Sequence, residues 1–365
     1  MAPSLSLETI RAARGRIAGV VGPTPCRESA RLSERCGFSV YLKLESLHPT
    51  GSFKERGAAN RMALLSESER ARGVVAASAG NHAQAVARHA RLLGVAATVV
   101  MPETTPLVKA ASARHLGAKV VLHGRGYDDA AQYADRLAAD EGLTLIHPFD
   151  DLEVIAGQGT LALELVEQVP ELSAVVVPVG GGGLIAGVGV ALREVAPTVR
   201  VYGVESRTFP GMKRVFEQSA PPEILGGKSI ADGIAVRRVG VLTRALVERS
   251  VDAIELVEPD PELKIFPPSL ESFVPPARFS RTRLVVALTL GAFALGLTAL
   301  AWPTAKAPVP VAQSGTVAQS GTEKALALPN DGTSNDVRAR AVARALEASV
   351  AEQPAAEVVR CTSCV

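Results

Sequence analysis

The chain has 365 residues, enough for two domains, and a formal net charge of +2, so no basic field argues for a nucleic-acid partner. Aromatic residues make up only 4% while Ala, Val, Leu and Gly abound, a composition suited to closely packed α/β layers. Among the four cysteines, Cys26 and Cys36 stand alone and Cys361 and Cys364 form one CxxC, too few ligands for a zinc site by themselves. The first residues, with Glu8 and several arginines but no long apolar stretch, are not expected to act as a secretory signal.

In chain order, the first informative stretch is "HPTGSFKERG", His48 to Gly57, a polar loop between a strand-like and a helix-like run. From about Gly73 the chain alternates short apolar runs with helical segments. "GVVAAS" reads as a strand and Ala83–Leu93 as a helix; "AATVVM" reads as a strand before a helix starting near Pro106. "AKVVLHG" and Tyr127–Glu141 repeat the unit, and "AVVVPVGGGG" and "VRVYGVE" add two buried-type strands. Such alternation predicts right-handed βαβ units and a largely parallel sheet covered on both faces.

The rhythm stops after Pro259. Residues 259–283, with six prolines between Pro259 and Pro276, read as a linker. Leu284 to Trp302 is a run of nineteen residues without a charge, preceded by Arg278, Arg281 and Arg283. As a helix it would span about 28 Å, close to the ~30 Å of a hydrocarbon core, so residues 284–302 are expected to cross a membrane, the alternative being that this Gly/Ala-rich run packs into the protein core. The arginines would keep the catalytic part cytoplasmic and put the tail on the far side. Ala292 and Gly296 offer a small-xxx-small contact within the span. Residues 303–365 include the tandem "VAQSGTVAQSGT", at 311–322, and read as a low-complexity tail with a helix near Asp336–Glu352.

Three segments carry chemistry. Lys54 lies in "TGSFKERG"; a loop lysine is usually a solvated charge, but burial turns such an amine into a nucleophile. "SAGNHAQ", Ser78 to Gln84, ends a strand and opens a helix, presenting backbone N–H groups to a carboxylate, with Asn81 adding a side-chain amide. "PVGGGGLIAG" holds Gly180 to Gly183 between a strand and a helix, where backbone N–H groups can wrap a phosphate. It is neither a Walker A loop nor a clean GxGxxG. A reactive lysine, a carboxylate-binding helix start and a phosphate cradle are the parts a pyridoxal phosphate enzyme needs.

"SFKERGA", "SAGNHAQ", "VGGGGL" and "SIADGIAV", Ser229 to Val236, resemble the threonine/serine dehydratase family of fold type II pyridoxal phosphate enzymes over about residues 5–258. The resemblance implies an α/β fold with a large parallel-sheet domain, 1–50 and 148–258, and an inserted smaller domain, 51–147, with pyridoxal 5'-phosphate in the cleft. It implies that Lys54 binds the cofactor covalently and moves the Cα proton. Asn81 would contact the ring oxygen, Gly180, Gly181, Gly182, Gly183 and Leu184 would hold the phosphate, and Ser78, Gly80 and His82 would lie in the loop receiving the substrate carboxylate. The implied reaction is β-elimination, giving a 2-oxo acid and ammonia from L-threonine or L-serine, in a homo-oligomer.

Serine racemases resemble the same pattern but carry a serine where this chain has Ala79, and alanine has no proton to exchange. The divalent-metal site of some relatives would retain only Glu205 here, since "TFPGM" lacks the second acid, so no metal is expected. Family members also continue with a further strand ending in a turn whose serine bonds the pyridine nitrogen. The sequence shows no such turn, so the large domain is expected to be incomplete. The alternative reading is a catalytically impaired, membrane-tethered protein that arose by fusion or frameshift.

Overall fold

The computed structural model describes residues 5–218, 229, 231–257 and 283–288. α1 (Leu7–Ile17) starts at a capping box formed by Ser6 and Thr9, which satisfies two end donors of the helix. β1 (Cys26–Glu28), α2 (Ala30–Cys36) and β2 (Ser39–Leu44) follow. α3 (Lys54–Ala63) and α4 (Glu67–Arg72) then lead into a regular alternation: β3 (Val74–Ala77), α5 (Asn81–Leu93), β4 (Ala97–Met101), α6 (Leu107–His115), β5 (Lys119–Leu122), α7 (Tyr127–Glu141) and β6 (Thr144–Leu145). After these come α8 (Leu152–Gln168), β7 (Leu172–Pro178), α9 (Gly183–Val195), β8 (Arg200–Ser206), α10 (Gly211–Phe216), α11 (Val241–Ser250), β9 (Ala253–Val257) and β10 (Arg283–Leu288).

The strands form two sheets. One has the order β5-β4-β3-β6, and all its pairings are parallel. The other has the order β1-β2-β10-β7-β8-β9, parallel except for β1 on β2. The four-stranded sheet is drawn entirely from the middle of the chain, and the six-stranded one from the segments on either side of it. Val74 to Ala77 are buried throughout, as expected for parallel strands covered on both faces.

The most consequential difference from the sequence-based expectation is β10. Residues 284–288, expected to form the first turns of a membrane helix, pair in parallel with β2 from Val40 to Leu44 and with β7 at Ala174, Val175 and Val176. A central parallel strand and the start of a membrane span read alike, as an uninterrupted apolar run. Among the described residues no helix is long and apolar enough to cross a membrane. β10 also supplies a strand between β2 and β7, where the sequence predicts an incomplete large domain; the residues that follow it, where a turn to the pyridine nitrogen would stand, lie outside the described residues. The Pro-rich linker up to Thr282, the rest of the apolar run, the tail and Cys361 and Cys364 lie outside the described residues.

α8 is buried along nearly its whole length, from Val154 to Leu165. It packs on α3 and α9 through glycines: a Cβ on Gly157 would lie 2.5 Å from the Arg56 carbonyl oxygen, and one on Gly187 2.5 Å from that of Ile155. Backbone thus meets backbone at both contacts, which fixes where α3, and Lys54 at its first position, can sit.

A buried ionic cluster adds direction to that packing. Arg56 is 1% exposed and forks onto two carboxylates: Nε and Nη2 donate to Glu45 at 2.7 and 2.8 Å, and Nη1 and Nη2 to Glu164 at 2.6 and 3.0 Å. Lys43 donates to Glu164 at 2.5 Å, to the Thr24 carbonyl at 2.7 Å and to Gln168 at 2.8 Å. Two cations therefore balance two anions. Burial alone would raise Glu45, but the Arg56 guanidinium outweighs it and holds the carboxyl well below the usual range. Arg56 lies two residues beyond Lys54, about 200° around the helix, so anchoring Arg56 inward turns Lys54 the opposite way.

Candidate active site

Lys54 is the first residue of α3, and its Nζ donates to the Pro148 carbonyl at 2.7 Å. Burial lowers its pKa to about 8, because desolvation disfavours the ammonium form. A pKa of about 8 leaves roughly a tenth as the neutral, nucleophilic amine at pH 7, against under ~0.1% for an ordinary lysine with a pKa near ~10.4.

The start of α5 is polar. Ser78 Oγ accepts the Gly80 N–H at 3.2 Å, and Asn81 and His82 are the first two residues of the helix. His82 Nε2 donates to the Ile146 carbonyl at 2.8 Å, which leaves Nδ1 as a bare acceptor, buried and without a partner. Burial, and then the Lys54 charge, push the ring down to about 3, so it stays neutral. The family resemblance puts His82 in a carboxylate-receiving loop. Its ring donor, however, is committed to Ile146, which leaves the Ser78 hydroxyl, the Asn81 amide and the backbone N–H groups as the other polar donors at this helix start.

The start of α9 is backbone only. Gly182 has φ +91°, a left-handed conformation open to glycine. A Cβ on Gly181 would lie 2.3 Å from the Phe149 ring, so no larger residue fits. Thr243 Oγ1 donates to the Gly181 carbonyl at 2.8 Å and steadies the loop from α11. Gly180 is half-buried, while Gly181, Gly182, Gly183 and Leu184 are buried. The first N–H groups of a helix have no intrahelical acceptor, and together with the dipole they favour an anion.

Both helix starts meet one short connection, Ile146 to Asp150, "IHPFD". Its carbonyls hold His82 and Lys54. Its Phe149 ring packs on the glycine loop, and Asp150 accepts the N–H groups of Val241, Leu242 and Thr243 at the start of α11, at 2.9, 2.9 and 3.1 Å. Sequence reasoning misses this stretch because its chief contributions are two carbonyls and a ring contact, which leave no motif.

Residues 17–261 match the model of a family described as pyridoxal-phosphate dependent enzyme. The chain belongs to that family. It is 48% identical over 253 residues to the L-threonine ammonia-lyase of Thermotoga maritima, covering 69% of this chain and 63% of that protein, so it spans a little under two thirds of that relative. It is 43% identical over 254 residues to the catabolic L-threonine dehydratase TdcB of Staphylococcus aureus, covering 69% of this chain and 73% of that one. Among solved structures, maize serine racemase superposes with a TM-score of 0.73 at 29% identity, covering 81% of this chain and 96% of that chain.

The residues present fit pyridoxal phosphate. A desolvated lysine can bond its aldehyde, the α9 start can take its phosphate, and the buried Nδ1 of His82 provides an acceptor that the protein itself leaves unused. In this member of the pyridoxal-phosphate family Glu205 has a structural task. It is fully buried, and its two oxygens cap α10 by accepting the Met212 and Lys213 N–H groups, each at 2.9 Å. Burial raises its pKa to about 7 against the pull of those bonds. Among the described residues no three His, Cys, Asp or Glu side chains group as metal ligands.

Proposed function

We propose that the chain is a pyridoxal phosphate-dependent L-threonine/L-serine dehydratase. The observation that carries this reading is the Lys54 amine, desolvated to a pKa of about 8 and held at the Pro148 carbonyl. The two relatives named for threonine support the substrate class. Bound cofactor supplies an electron sink for the charge that develops at Cα. Lys54 would hold the cofactor and, as a free amine, would take the Cα proton; returning that proton to the β-hydroxyl lets it depart as water. Gly180 to Gly183 and Leu184 hold the phosphate, Asn81 contacts the ring oxygen, and Ser78 with the Gly80 backbone orients the substrate carboxylate. Hydrolysis of the released enamine gives the 2-oxo acid and ammonia.

Elimination is favoured over racemisation because Ala79 offers no proton to the second face of Cα. The presence of β10 between β2 and β7 also favours a working enzyme over an impaired remnant. The test uses purified protein loaded with pyridoxal phosphate. It should show the visible band of lysine-bound cofactor and release 2-oxobutanoate from threonine. Lys54→Ala should abolish both, with turnover falling at least ~10³-fold. A band without product, or turnover that survives Lys54→Ala, would sink the reading.

A further inference from the structure

The connection Ile146 to Asp150 is folded by its own histidine. His147 Nδ1 accepts the Phe149 N–H at 3.2 Å and the Asp150 N–H at 2.7 Å. Two donors on one nitrogen require that nitrogen to be unprotonated, so His147 is neutral with its proton on Nε2. The ring also meets Phe149 edge to face, with centroids 4.7 Å apart, a favourable aromatic geometry.

The turn thus closed has three outputs. It aims the Pro148 carbonyl at Lys54 Nζ, presses the Phe149 ring on Gly181, and brings Asp150 to the start of α11. That helix in turn holds the Gly181 carbonyl through Thr243. Lysine and phosphate loop are therefore registered to each other through one five-residue segment. The charged groups around the ring are Asp150, Asp151 and Asp135, which favour its protonation, and Lys54, which opposes it; burial lowers the ring's pKa and keeps the acceptor form.

We propose that His147 is a positioning residue for the reaction: by folding the 146–150 turn it holds the free Lys54 amine at the Pro148 carbonyl, in register with the glycine loop. The inference rests on Lys54 being the cofactor lysine. It concerns the moment when the substrate has displaced Lys54 and the amine must be held where it can reach Cα. A carbonyl acceptor keeps the amine oriented without supplying a competing charge.

The test compares His147→Leu, which lacks the acceptor, with His147→Asn, whose Oδ1 can still take both N–H groups. Both are purified as full chains loaded with pyridoxal phosphate. Two quantities are followed: the pH midpoint of the visible lysine–cofactor band, and kcat and KM for threonine. His147→Leu should keep the band but shift its pH midpoint, with kcat lowered ~10–100-fold and KM little changed. His147→Asn should restore the midpoint and most of kcat. A His147→Leu protein with wild-type midpoint and kcat would overturn the inference. So would a folded His147→Asn protein as impaired as His147→Leu, since the ring's packing would then matter and its acceptor would not. If His147→Leu fails to fold, His147→Asn decides: retention of midpoint and kcat supports the proposal and their loss ends it. A wild-type protein without the band fails the functional reading itself, and the inference with it.

Discussion

At the start of α5 side chains provide the polar groups; at the start of α9 only backbone does. Both helices follow parallel strands, β3 and β7, and the first N–H groups of each lack intrahelical acceptors. The α5 start adds the Ser78 hydroxyl, the Asn81 amide and a neutral His82, groups that discriminate shape and hydrogen-bond pattern. The α9 start removes every side chain from 180 to 183 and lets neighbours close in, with Phe149 and Met212 both 2.3 Å from where a Cβ would stand. Selective contact with a substrate calls for side chains, whereas close wrapping of a phosphate calls for their absence.

That division can be broken experimentally, and the largest effect is expected where both starts are referred to Lys54. Arg56→Met would leave Glu45 and Glu164 buried with Lys43 as their main counter-charge. Breaking such a pair costs about 3–5 kcal/mol, to be read as a drop in the denaturation midpoint at constant slope. Gly181→Ala comes next. Forcing a methyl against Phe149 costs about 1–3 kcal/mol, which should weaken cofactor retention ~5–150-fold in dialysis while KM of the loaded enzyme stays near wild type.

Ser78→Ala should do the reverse at the α5 start. Cofactor retention is expected to hold while KM for threonine rises about fivefold, the worth of one hydrogen bond of ~1 kcal/mol. If either variant moved both quantities equally, the two starts would not be separate devices. The smallest effect is a titration. Amine-reactive labelling of Lys54 should rise with a midpoint near pH 8, against ~10.4 for a solvated lysine. Between these values the unfolded chain holds a proton that the folded chain has released, so this group makes stability rise with pH across that window.

Much of this architecture is legible in the sequence. The helix expected at Tyr127–Glu141 is the observed α7, because amphipathic spacing and Gly142 mark its face and its end. The strands expected near Val74, Ala97 and Arg200 are β3, β4 and β8. Lys54, Asn81 and the four glycines stand out because lysine, amide and glycine are chemically conspicuous in loops. The segment 146–150 does not stand out, since carbonyl positions leave no trace in residue identity. The Arg56 cluster is equally silent: Lys43, Glu45 and Glu164 look like surface charges until the fold puts them together. For residues 284–288 periodicity does not separate lipid from core, because the interior of a sheet asks for the same apolar residues.

By itself the sequence determined the alternation of strands and helices, the three chemical segments and the family they resemble, because periodicity and special residues are local properties of the chain. The tertiary structure alone decided that Leu284 to Leu288 is a strand at the centre of a sheet. It also decided that Arg56 is neutralised within the interior, and that the Pro148 carbonyl faces Lys54. Each of these joins residues about 10 to 250 positions apart, and only the folded chain sets such distances.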